Sequence, residues 1–231
     1  MKISICIPTY EMNGQGIFML RRNLDMIKLQ TFKDFEIVIS DNSKNNEVED
    51  LCTKDPTYSS LPIKYIRNPK IGMAPNTNEA MKNATGEIIK ILFMDDYFAD
   101  EKSLERIIEN FKGHWLVTGC AHNNGNGVIN PHFPRYNKKI IFGKNTIGSP
   151  SILSIKNENI LFFDENMTWV LDCDYYARLY EKFGEPTILN EINIIIGTGS
   201  HQVTRKLSNF KKIKEHFYIA FKHISSLLFK L

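Results

Sequence analysis

The fold is decided by residues 63–96, which read IKYIRNPKIGMAPNTNEAMKNATGEIIKILFMDD. Branched apolar residues predict strands over Ile63–Arg67 and Ile88–Met94, and apolar residues at helical spacing predict a helix over Ala74–Asn83. A helical crossover between two strands places them parallel in one sheet. The quoted stretch therefore predicts a βαβ unit that ends in two adjacent aspartates.

The same alternation of strands and helices extends to both sides of this unit. The predicted strands are Ile3–Ile7, Phe35–Ser40, Trp115–Gly119, Ile152–Ile155 and Ile192–Ile196. The predicted helices are Ile17–Gln30, Ser103–Phe111 and Cys173–Phe183. This order predicts an α/β fold with a mostly parallel central sheet flanked by helices. Sheets of this kind bind ligands at the carboxyl ends of their strands.

The composition is that of an ordinary globular protein, with 231 residues, 42% hydrophobic and 24% charged residues and a net charge of +3. No apolar run approaches the roughly 20 residues that a membrane-spanning helix needs. The apolar run Ile3–Ile7 is too short for the core of a signal peptide. We therefore expect a cytoplasmic protein. Its four cysteines are scattered, which predicts reduced thiols and neither a disulfide framework nor a zinc motif.

Polar residues follow the first two predicted strands at one edge of the sheet. Pro8-Thr9-Tyr10-Glu11 follows the first strand, and Ser40-Asp41-Asn42-Ser43 follows the second. A carboxylate at a strand end can accept hydrogen bonds from a base N–H or from ribose hydroxyls, which favours a nucleoside site at Asp41. The alternative is that Asp41 only begins a turn or caps a helix.

Asp95 and Asp96 come directly after the predicted strand Ile88–Met94, so both carboxylates emerge at the same edge. Adjacent carboxylates repel each other and attract a cation. Hard oxygen ligands in an open site favour Mg²⁺ or Mn²⁺, which keeps some waters and takes further ligands from substrate phosphates. The pair therefore predicts a divalent metal site.

The chain resembles family 2 of the glycosyltransferases, which have the GT-A fold, from Lys2 to Thr204. The matching fragments, in order, are residues 4–10, 30–43 and 68–72, Asn78, residues 84–87 and residues 95–96. The resemblance implies an inverting, metal-dependent enzyme of polysaccharide biosynthesis, of the bacterial or viral surface-glycan type. It also implies that the nucleotide of the donor contacts Pro8, Thr9, Tyr10, Glu11, Asp41, Asn68, Gly72, Asn78 and Asp95.

The metal motif of the family resembles D-x-D, and this sequence departs from it at the first position. Phe93 stands where the first aspartate is expected, and Asp95 stands at the second. The resemblance therefore implies Asp95 as the metal ligand, with Asp96 as a further ligand or a hydrogen-bonding neighbour. The loop 197–204 resembles the segment that closes over the diphosphate, which implies that His201 binds the metal or a phosphate; a purely structural His201 is the alternative.

The second half resembles the acceptor side of the family, whose E-D-x-D element contains the catalytic base. Leu171 replaces the glutamate, and Asp172 falls on the base position. The alternative for Asp172 is an N-cap at the predicted helix start. Asp174 is the second choice as base, although Arg178 four residues on predicts a structural ion pair. The resemblance also implies acceptor contacts by Ser149, Trp169 and Asp174.

Together these residues predict the transfer of a sugar from a nucleotide-diphosphate donor, most simply a UDP-sugar, to a hydroxyl of a glycan or a lipid-linked glycan. Mn²⁺ or Mg²⁺ is the implied cofactor. A sugar nucleotidyltransferase is one alternative, but the residues after the first strand lack the Gly-rich, basic loop that it requires. A non-catalytic sugar-nucleotide or glycan-binding module is the other, because Phe93 and Leu171 replace carboxylates.

The C-terminal segment differs from the rest of the chain in its charge. From His201 onward it holds seven Lys and Arg residues and one acidic residue, Glu215. Apolar residues at three-four spacing predict an amphipathic helix with a stripe formed by Phe210, Ile213, Phe217, Ala220, Ile224, Leu227 and Leu231. The stripe packs on the domain, on a second subunit in a homodimer, or on an anionic membrane surface at the inner face of the membrane. Nucleic-acid binding would need a basic face interleaved with base-stacking aromatics, whereas these lysines lie in one terminal segment, so we expect no nucleic-acid partner.

These observations divide the chain at two points. We expect a glycosyltransferase domain over residues 1–207, with a nucleotide-sugar half at 1–100 and an acceptor-binding and catalytic half at 101–207. The basic helix then occupies residues 208–231.

Overall fold

A computed structural model of the chain describes residues 2–125, 127–199 and 207–228. Within them the strands are β1 (Ile3–Thr9), β2 (Phe35–Asp41), β3 (Ile63–Arg67), β4 (Ile88–Ile91), β5 (Tyr97–Phe98), β6 (Trp115–Asn123), β7 (Val128–His132), β8 (Leu153–Lys156) and β9 (Thr187–Gly197). The α-helices are α1 (Gly16–Leu29), α2 (Glu47–Thr53), α3 (Met73–Lys82), α4 (Ser103–Asn110), α5 (Leu171–Phe183) and α6 (Asn209–Leu228).

The first half of the chain forms the parallel part of the sheet. Its strands lie in the order β3-β2-β1-β4, and all three pairings between them are parallel. Residues of these strands that point to both faces are buried, as expected when helices cover a parallel sheet on both sides. The predicted strands and helices are confirmed here, and the structure adds α2 between β2 and β3, which the sequence did not predict. The carboxyl ends of β1, β2 and β4 lie at one edge.

β4 ends earlier than the sequence predicts. The apolar run extends to Met94, but pairing with β1 stops at Ile91, and a turn follows in which the Asp96 N–H donates to the Phe93 carbonyl at 3.0 Å. Apolar character therefore continues into a loop, because Leu92 and Met94 are still buried. This early ending places Phe93 and Asp95 at the edge of the sheet.

The second half makes the sheet mixed, which corrects the prediction of a mostly parallel sheet. Strand β8 is antiparallel to both β4 and β6, β5 is antiparallel to β9, and β7 is antiparallel to β6, while β6 and β9 are parallel. The full order is β3-β2-β1-β4-β8-β6-β9-β5, with β7 beside β6. Between β6 and β8, the described residues 124–125 and 127–152 form loops, the hairpin strand β7 and 3₁₀ turns, and they include no α-helical crossover that would align these two strands in parallel.

Four of the predicted helices form within two residues of their expected bounds, namely α1, α3, α4 and α5. All four cysteines are unpaired, as predicted, and three of them are buried. Over the described residues, no helix combines the length and the apolar character that crossing a bilayer requires.

Helix α6 packs on its own chain, but through the face opposite to the predicted stripe. Glu215, Ile219 and His223 are buried, whereas Phe210 and Phe217 of the stripe are exposed. The docked face is largely polar and is held by ion pairs and hydrogen bonds, so Phe210 and Phe217 of the stripe do not pack on the domain, which was one of its three expected partners.

Candidate active site

A cleft of about 540 Å³ lies at the carboxyl ends of β1 and β4 and extends to the beginning of α5. It is large enough for a small-molecule ligand. The predicted site residues that line it are Pro8, Tyr10, Glu11, Gly72, Asp95, Asp96, Ser149, Trp169 and Asp172. The cleft therefore brings together residues of the predicted donor side and residues of the predicted acceptor side.

The loop before α3 forms one wall of the cleft and is held by Asn42. The Asn42 side-chain amide donates to the carbonyls of Asn68 and Lys70 at 2.8 and 3.0 Å, and its oxygen accepts from the Gly72 N–H at 3.2 Å. Gly72 has a φ of +133°, which favours glycine at this position. Both Asn42 and Gly72 line the cleft, and the loop before α3 presents the exposed side chain of Ile71.

Asp41 lies behind the cleft wall, which corrects its predicted placement against a ligand. Its carboxylate is fully buried and accepts from the Tyr65 hydroxyl at 2.8 Å and from the Ser43 N–H at 2.9 Å. Arg67 lies 3.2 Å from it, and Thr9 donates to it at 3.4 Å. The structure therefore shows Asp41 and Thr9 joining β1, β2 and β3, as in the alternative that gave Asp41 a structural role.

The side chains of Asn68 and Asn78 also form hydrogen bonds within the chain. The Asn68 side chain is buried, accepts from the Lys70 N–H at 3.0 Å and donates to Asn76 at 3.3 Å. The Asn78 amide exchanges two hydrogen bonds with the backbone of Phe163. Both asparagines shape the cleft from behind, since Asn68 braces the loop before α3 and Asn78 ties α3 to the second half of the chain.

Asp95 and Asp96 follow β4 as predicted, but they face different surroundings. Asp95 is half-buried and lines the cleft, whereas Asp96 is almost fully buried. Asp96 accepts from the Gly197 N–H at 2.9 Å and from the Ser149 hydroxyl at 3.3 Å. Burial, together with the neighbouring Asp95 carboxylate, raises the pKa of Asp96 well above its ordinary value. Asp96 therefore joins β9 and the Ser149 turn to the loop after β4.

Close packing and a cation fix the backbone of Asp95. A Cβ on Gly197 would lie 2.2 Å from the Asp95 carbonyl oxygen. At this point β9 therefore approaches the loop so closely that only glycine fits. The Arg22 guanidinium donates to the same oxygen and stacks over the Tyr97 ring, 4.2 Å from its centroid. Sequence reasoning missed Arg22, because nothing within α1 marks a contact with residue 95.

The acidic groups fit a divalent cation that is shared with a ligand. In the described parts of the chain, no group of three His, Cys, Asp or Glu side chains is close enough to hold a metal alone. Of the two carboxylates after β4, the half-buried Asp95 is the more exposed, and it suits Mg²⁺ or Mn²⁺ because these ions use one or two carboxylates and take their other ligands from water and phosphates. Phe93, at the position of the missing aspartate, lines the same cleft and brings no ligand atom.

His201, the other predicted metal ligand, lies outside the described residues.

Lys90 is a buried amine below this region that sequence reasoning did not single out. It lies on β4, is fully buried, and donates to the carbonyls of Ser151 and Leu153. Burial lowers its pKa to about 7, although the carboxylate of Asp96 opposes this shift. The Ser151 hydroxyl in turn accepts from the Phe93 N–H at 2.9 Å. Lys90 and Ser151 thus brace the loop after β4 against β8.

Asp172 stands at the acceptor end of the cleft, in the first turn of α5. It is half-buried and lines the cleft. One carboxylate oxygen accepts from the Asn145 amide at 2.6 Å, and the other accepts from the Cys173 N–H at 2.8 Å. Burial raises the pKa of Asp172 above its ordinary value, despite these hydrogen bonds. A carboxylate with a raised pKa in a cleft is a candidate general base.

Asn145 is a second residue that sequence reasoning missed. Its oxygen accepts from the N–H groups of Ile147 and Gly148, both at 2.9 Å, so the turn that it closes holds its amide against Asp172. The two residues are 27 positions apart, and no local pattern connects them.

Asp174 is fully buried, which corrects its prediction as an acceptor contact and second-choice base. Its carboxylate is bound by Arg178 at 2.8 Å, by Lys222 at 2.9 Å and by His223 at 3.1 Å. Although burial alone would raise its pKa, these partners hold the pKa at about 2. Asp174 is thus a structural ion-pair centre between α5 and α6, as the spacing to Arg178 predicted.

Helix α6 also holds the chain just before α5. One oxygen of Glu215 accepts from the N–H groups of Thr168, Trp169 and Val170 at 2.8, 2.5 and 3.3 Å. A carboxylate at this position compensates the unpaired N–H groups at a helix N-terminus. Thr168 and Trp169 line the cleft, so a residue of the C-terminal helix positions the acceptor-side wall.

Comparison with known proteins identifies relatives over nearly the whole chain. Residues 4–182 match the sequence profile of the family described as Glycosyl transferase family 2. An uncharacterized glycosyltransferase of Rickettsia conorii is 35% identical over 223 residues, which cover 90% of this chain and 35% of that protein. WcaA of Escherichia coli, a putative colanic acid biosynthesis glycosyl transferase, is 23% identical over 235 residues, which cover 96% of this chain and 81% of that protein. The chain thus spans about a third of the length of the Rickettsia relative.

Two solved structures share the architecture. TarS of S. aureus in complex with UDP-GlcNAc superposes with a TM-score of 0.66 at 20% identity, over 90% of this chain and 62% of that one. The mannosyltransferase PcManGT from Pyrobaculum calidifontis, in complex with GDP-Man and Mn²⁺, gives a TM-score of 0.62 at 16% identity, over 85% of this chain and 56% of that one. At these identities the similarity shows a common fold.

Proposed function

The chain belongs to glycosyl transferase family 2, with the GT-A fold, and we propose that it transfers a sugar from a nucleoside-diphosphate donor to a hydroxyl of a glycan or lipid-linked glycan. One observation carries the proposal: a single cleft holds Asp95 at the strand edge and Asp172 at the beginning of α5. Such a transfer needs a base for the acceptor and a stabiliser for the leaving group, and the cleft offers one candidate for each.

Asp172 acts as the base in this proposal. Its carboxylate takes the proton of the acceptor hydroxyl while that oxygen forms a bond to the anomeric carbon of the donor, and the bond from that carbon to the diphosphate oxygen breaks. Attack opposite the leaving group inverts the anomeric centre. The Asn145 amide and the Cys173 N–H orient the carboxylate, and burial brings its pKa closer to neutral pH, where a base is most effective.

The leaving diphosphate departs at the other end of the cleft. Mn²⁺ or Mg²⁺ bound to Asp95 would supply charge neutralisation to the diphosphate. Asp96 supports this end through its bonds to β9 and to Ser149, and His201 remains a proposed further ligand.

Tyr10 and Glu11 form the donor-side wall, and Ser149 and Trp169 form the acceptor-side wall. Two structural neighbours support a nucleotide-sugar donor and a divalent metal, since TarS was solved with UDP-GlcNAc and PcManGT with GDP-Man and Mn²⁺. We take a UDP-sugar as the first donor to test. Action at the inner face of the cytoplasmic membrane, as a peripheral protein, is part of the proposal.

A thermal-shift panel tests donor and metal together. We expect UDP, among UDP, GDP, dTDP and CMP, to raise the melting temperature, and Mn²⁺ to increase that shift. At a ligand concentration about 100 times Kd, the stabilisation is about 2.7 kcal/mol, which corresponds to a shift of roughly 5 to 10 °C for a chain of this size.

The metal assignment is tested by Asp95→Asn, which removes the charge and keeps the shape. The Mn²⁺-dependent part of the shift should disappear in this variant and persist in the control Asp50→Asn, whose exposed carboxylate lies on α2 and pairs with Lys54. An unchanged Mn²⁺ response in Asp95→Asn would overturn the metal site. Donor binding without transfer or hydrolysis across an acceptor panel would favour the binding-module alternative, and pyrophosphate release from a nucleoside triphosphate would favour a nucleotidyltransferase.

A further inference from the structure

Helix α6 presents an exposed apolar face to solvent. Phe210, Phe217 and Phe221 are 78%, 73% and 75% exposed, and Ile213 and Ile224 are 55% and 43% exposed. These five residues, which we call the aromatic face, follow each other at intervals of three or four residues and so lie on one side of the helix. Monomeric proteins rarely leave such a continuous apolar stripe uncovered.

The opposite side of α6 fixes the orientation of the helix. Glu215 binds the backbone before α5, Ile219 is fully buried, and His223 lies 3.1 Å from the Asp174 carboxylate. The Trp169 ring nitrogen additionally donates to His216 at 3.2 Å. Because these contacts occupy the buried side, the aromatic face is free of the domain while the helix stays docked.

The charges around the aromatic face are positive. Lys211 and Lys214 are exposed and flank it. Lys212 lies over the Trp169 ring, and Lys222 forms an ion pair with Asp164. Both lysines stand at the edge of the docked side. The one acidic residue of the helix, Glu215, is buried against backbone N–H groups. The solvent-facing surface of α6 therefore combines apolar side chains with positive charge alone.

We propose that the aromatic face of α6 is a lipid-binding surface that lies flat on an anionic bilayer. Phenylalanine and isoleucine side chains enter the boundary between headgroups and acyl chains, while the flanking lysines meet anionic headgroups. A second copy of the chain fits this surface less well. A two-fold contact buries the same patch of both copies, so Lys211 and Lys214 of both copies would gather at one apolar seam, where the single acidic residue of α6, Glu215, is buried on the other side and cannot pair with them.

This surface lies beside the cleft. The Lys211 ammonium donates to the Thr168 hydroxyl at 3.1 Å, and Lys212 lies 4.6 Å from the centroid of the Trp169 ring. Thr168 and Trp169 line the acceptor end of the cleft. A bilayer on the aromatic face thus brings that end close to lipid, which suits a lipid-linked acceptor. The lipid contact stands on its own, and only the choice of acceptor rests on the proposed function.

Flotation with lipid vesicles tests the proposal on the intact chain. One set of vesicles contains phosphatidylglycerol and phosphatidylcholine, the other phosphatidylcholine alone, each at low and high salt. The test variant is Phe217→Ser with Phe221→Ser, and its control is Phe18→Ser, which removes an equally apolar side chain, 67% exposed, from α1. The charge variant is Lys214→Gln, and its control is Lys112→Gln, an exposed lysine before β6.

We expect the unmodified chain to bind the anionic vesicles, and to bind them less at high salt because counter-ions screen the lysines. The double phenylalanine variant should bind at least about tenfold more weakly, since its main inserting groups are gone. Lys214→Gln should bind about fivefold more weakly, and both controls should bind like the unmodified chain. The melting temperature and the donor-induced shift of the double variant should be unchanged, which separates this result from a failure of the proposed function.

Three results would overturn the proposal. One is absence of vesicle binding by the unmodified chain, and another is equal binding to neutral and anionic vesicles. The third is a change from dimer to monomer in the double variant, measured by light scattering, while its vesicle binding stays at the unmodified level. That result would assign the aromatic face to a contact between copies.

Discussion

The contact of Glu215 with the chain before α5 allows a quantitative prediction. One carboxylate oxygen accepts hydrogen bonds from three backbone N–H groups, and the bonds from Thr168 and Trp169 are 2.8 and 2.5 Å long. A hydrogen bond to a charged group contributes about 1.5 to 3 kcal/mol, and such terms are not fully additive. Glu215→Ala should therefore lower the free energy of unfolding by about 3 kcal/mol, because it leaves these N–H groups without their partner.

Glu215→Gln should cost less, about 1 kcal/mol, because its carbonyl oxygen still accepts from the same N–H groups without the charge. Urea unfolding followed by circular dichroism measures both values. The control is Glu109→Ala, an exposed glutamate on α4, which should stay within about 0.5 kcal/mol of the unmodified chain. If Glu215→Ala and Glu215→Gln both lie within that margin, α6 does not brace the cleft wall through this carboxylate.

Two further predictions concern buried charges and the pH dependence of stability. The pKa of Asp174 is about 2 when the chain is folded and about 3.9 when it is unfolded, so roughly 2 kcal/mol of stability, present above pH 4, is lost as the pH falls toward 2. Asp174→Asn should flatten this acid limb in urea titrations at pH 5, 4 and 3, and an unchanged slope would contradict the ion-pair centre. For Lys90, burial lowers the folded pKa to about 7, so the unfolded chain binds more protons at pH 7 to 10 and stability rises with pH there. Lys90→Met should remove that rise, whereas an identical alkaline limb would show that the amine is not buried.

The sequence was sufficient for those parts of the fold that depend on local patterns. Apolar periodicity located β1 to β4 and the helices α1 and α3, but not the short helix α2, and the rule that ligands bind at the carboxyl ends of strands agrees with the position of Asp95 in the cleft. The beginning of α5 was predicted within two residues, and Asp172 lies in its first turn and lines the cleft. The mixed pairing of β8 was missed, because the direction of a strand depends on the path of its connecting loops and not on its own residues.

The partners of buried polar groups could not be predicted in the same way. Asp41 was expected to face a ligand, yet Tyr65 and Arg67 reach it from β3, more than 20 positions further along the chain. The domain was one of the three expected partners of the apolar stripe of α6, but Glu215 and His223 dock the helix on the domain instead. Periodicity reports where apolar side chains stand on a helix. It does not report whether ion pairs and backbone N–H groups bind the other side more tightly.

The most direct test of the account is the transfer rate of Asp172→Asn, measured in single turnovers with the donor and acceptor that the unmodified chain uses. Asparagine keeps the shape of the side chain and cannot accept a proton as a base, so the rate should fall by a factor on the order of 10² to 10⁴. The donor-induced thermal shift should stay unchanged, because the donor side of the cleft is intact. A rate within about threefold of the unmodified chain, or a larger loss in Asp174→Asn than in Asp172→Asn at equal folded fraction, would contradict Asp172 as the base.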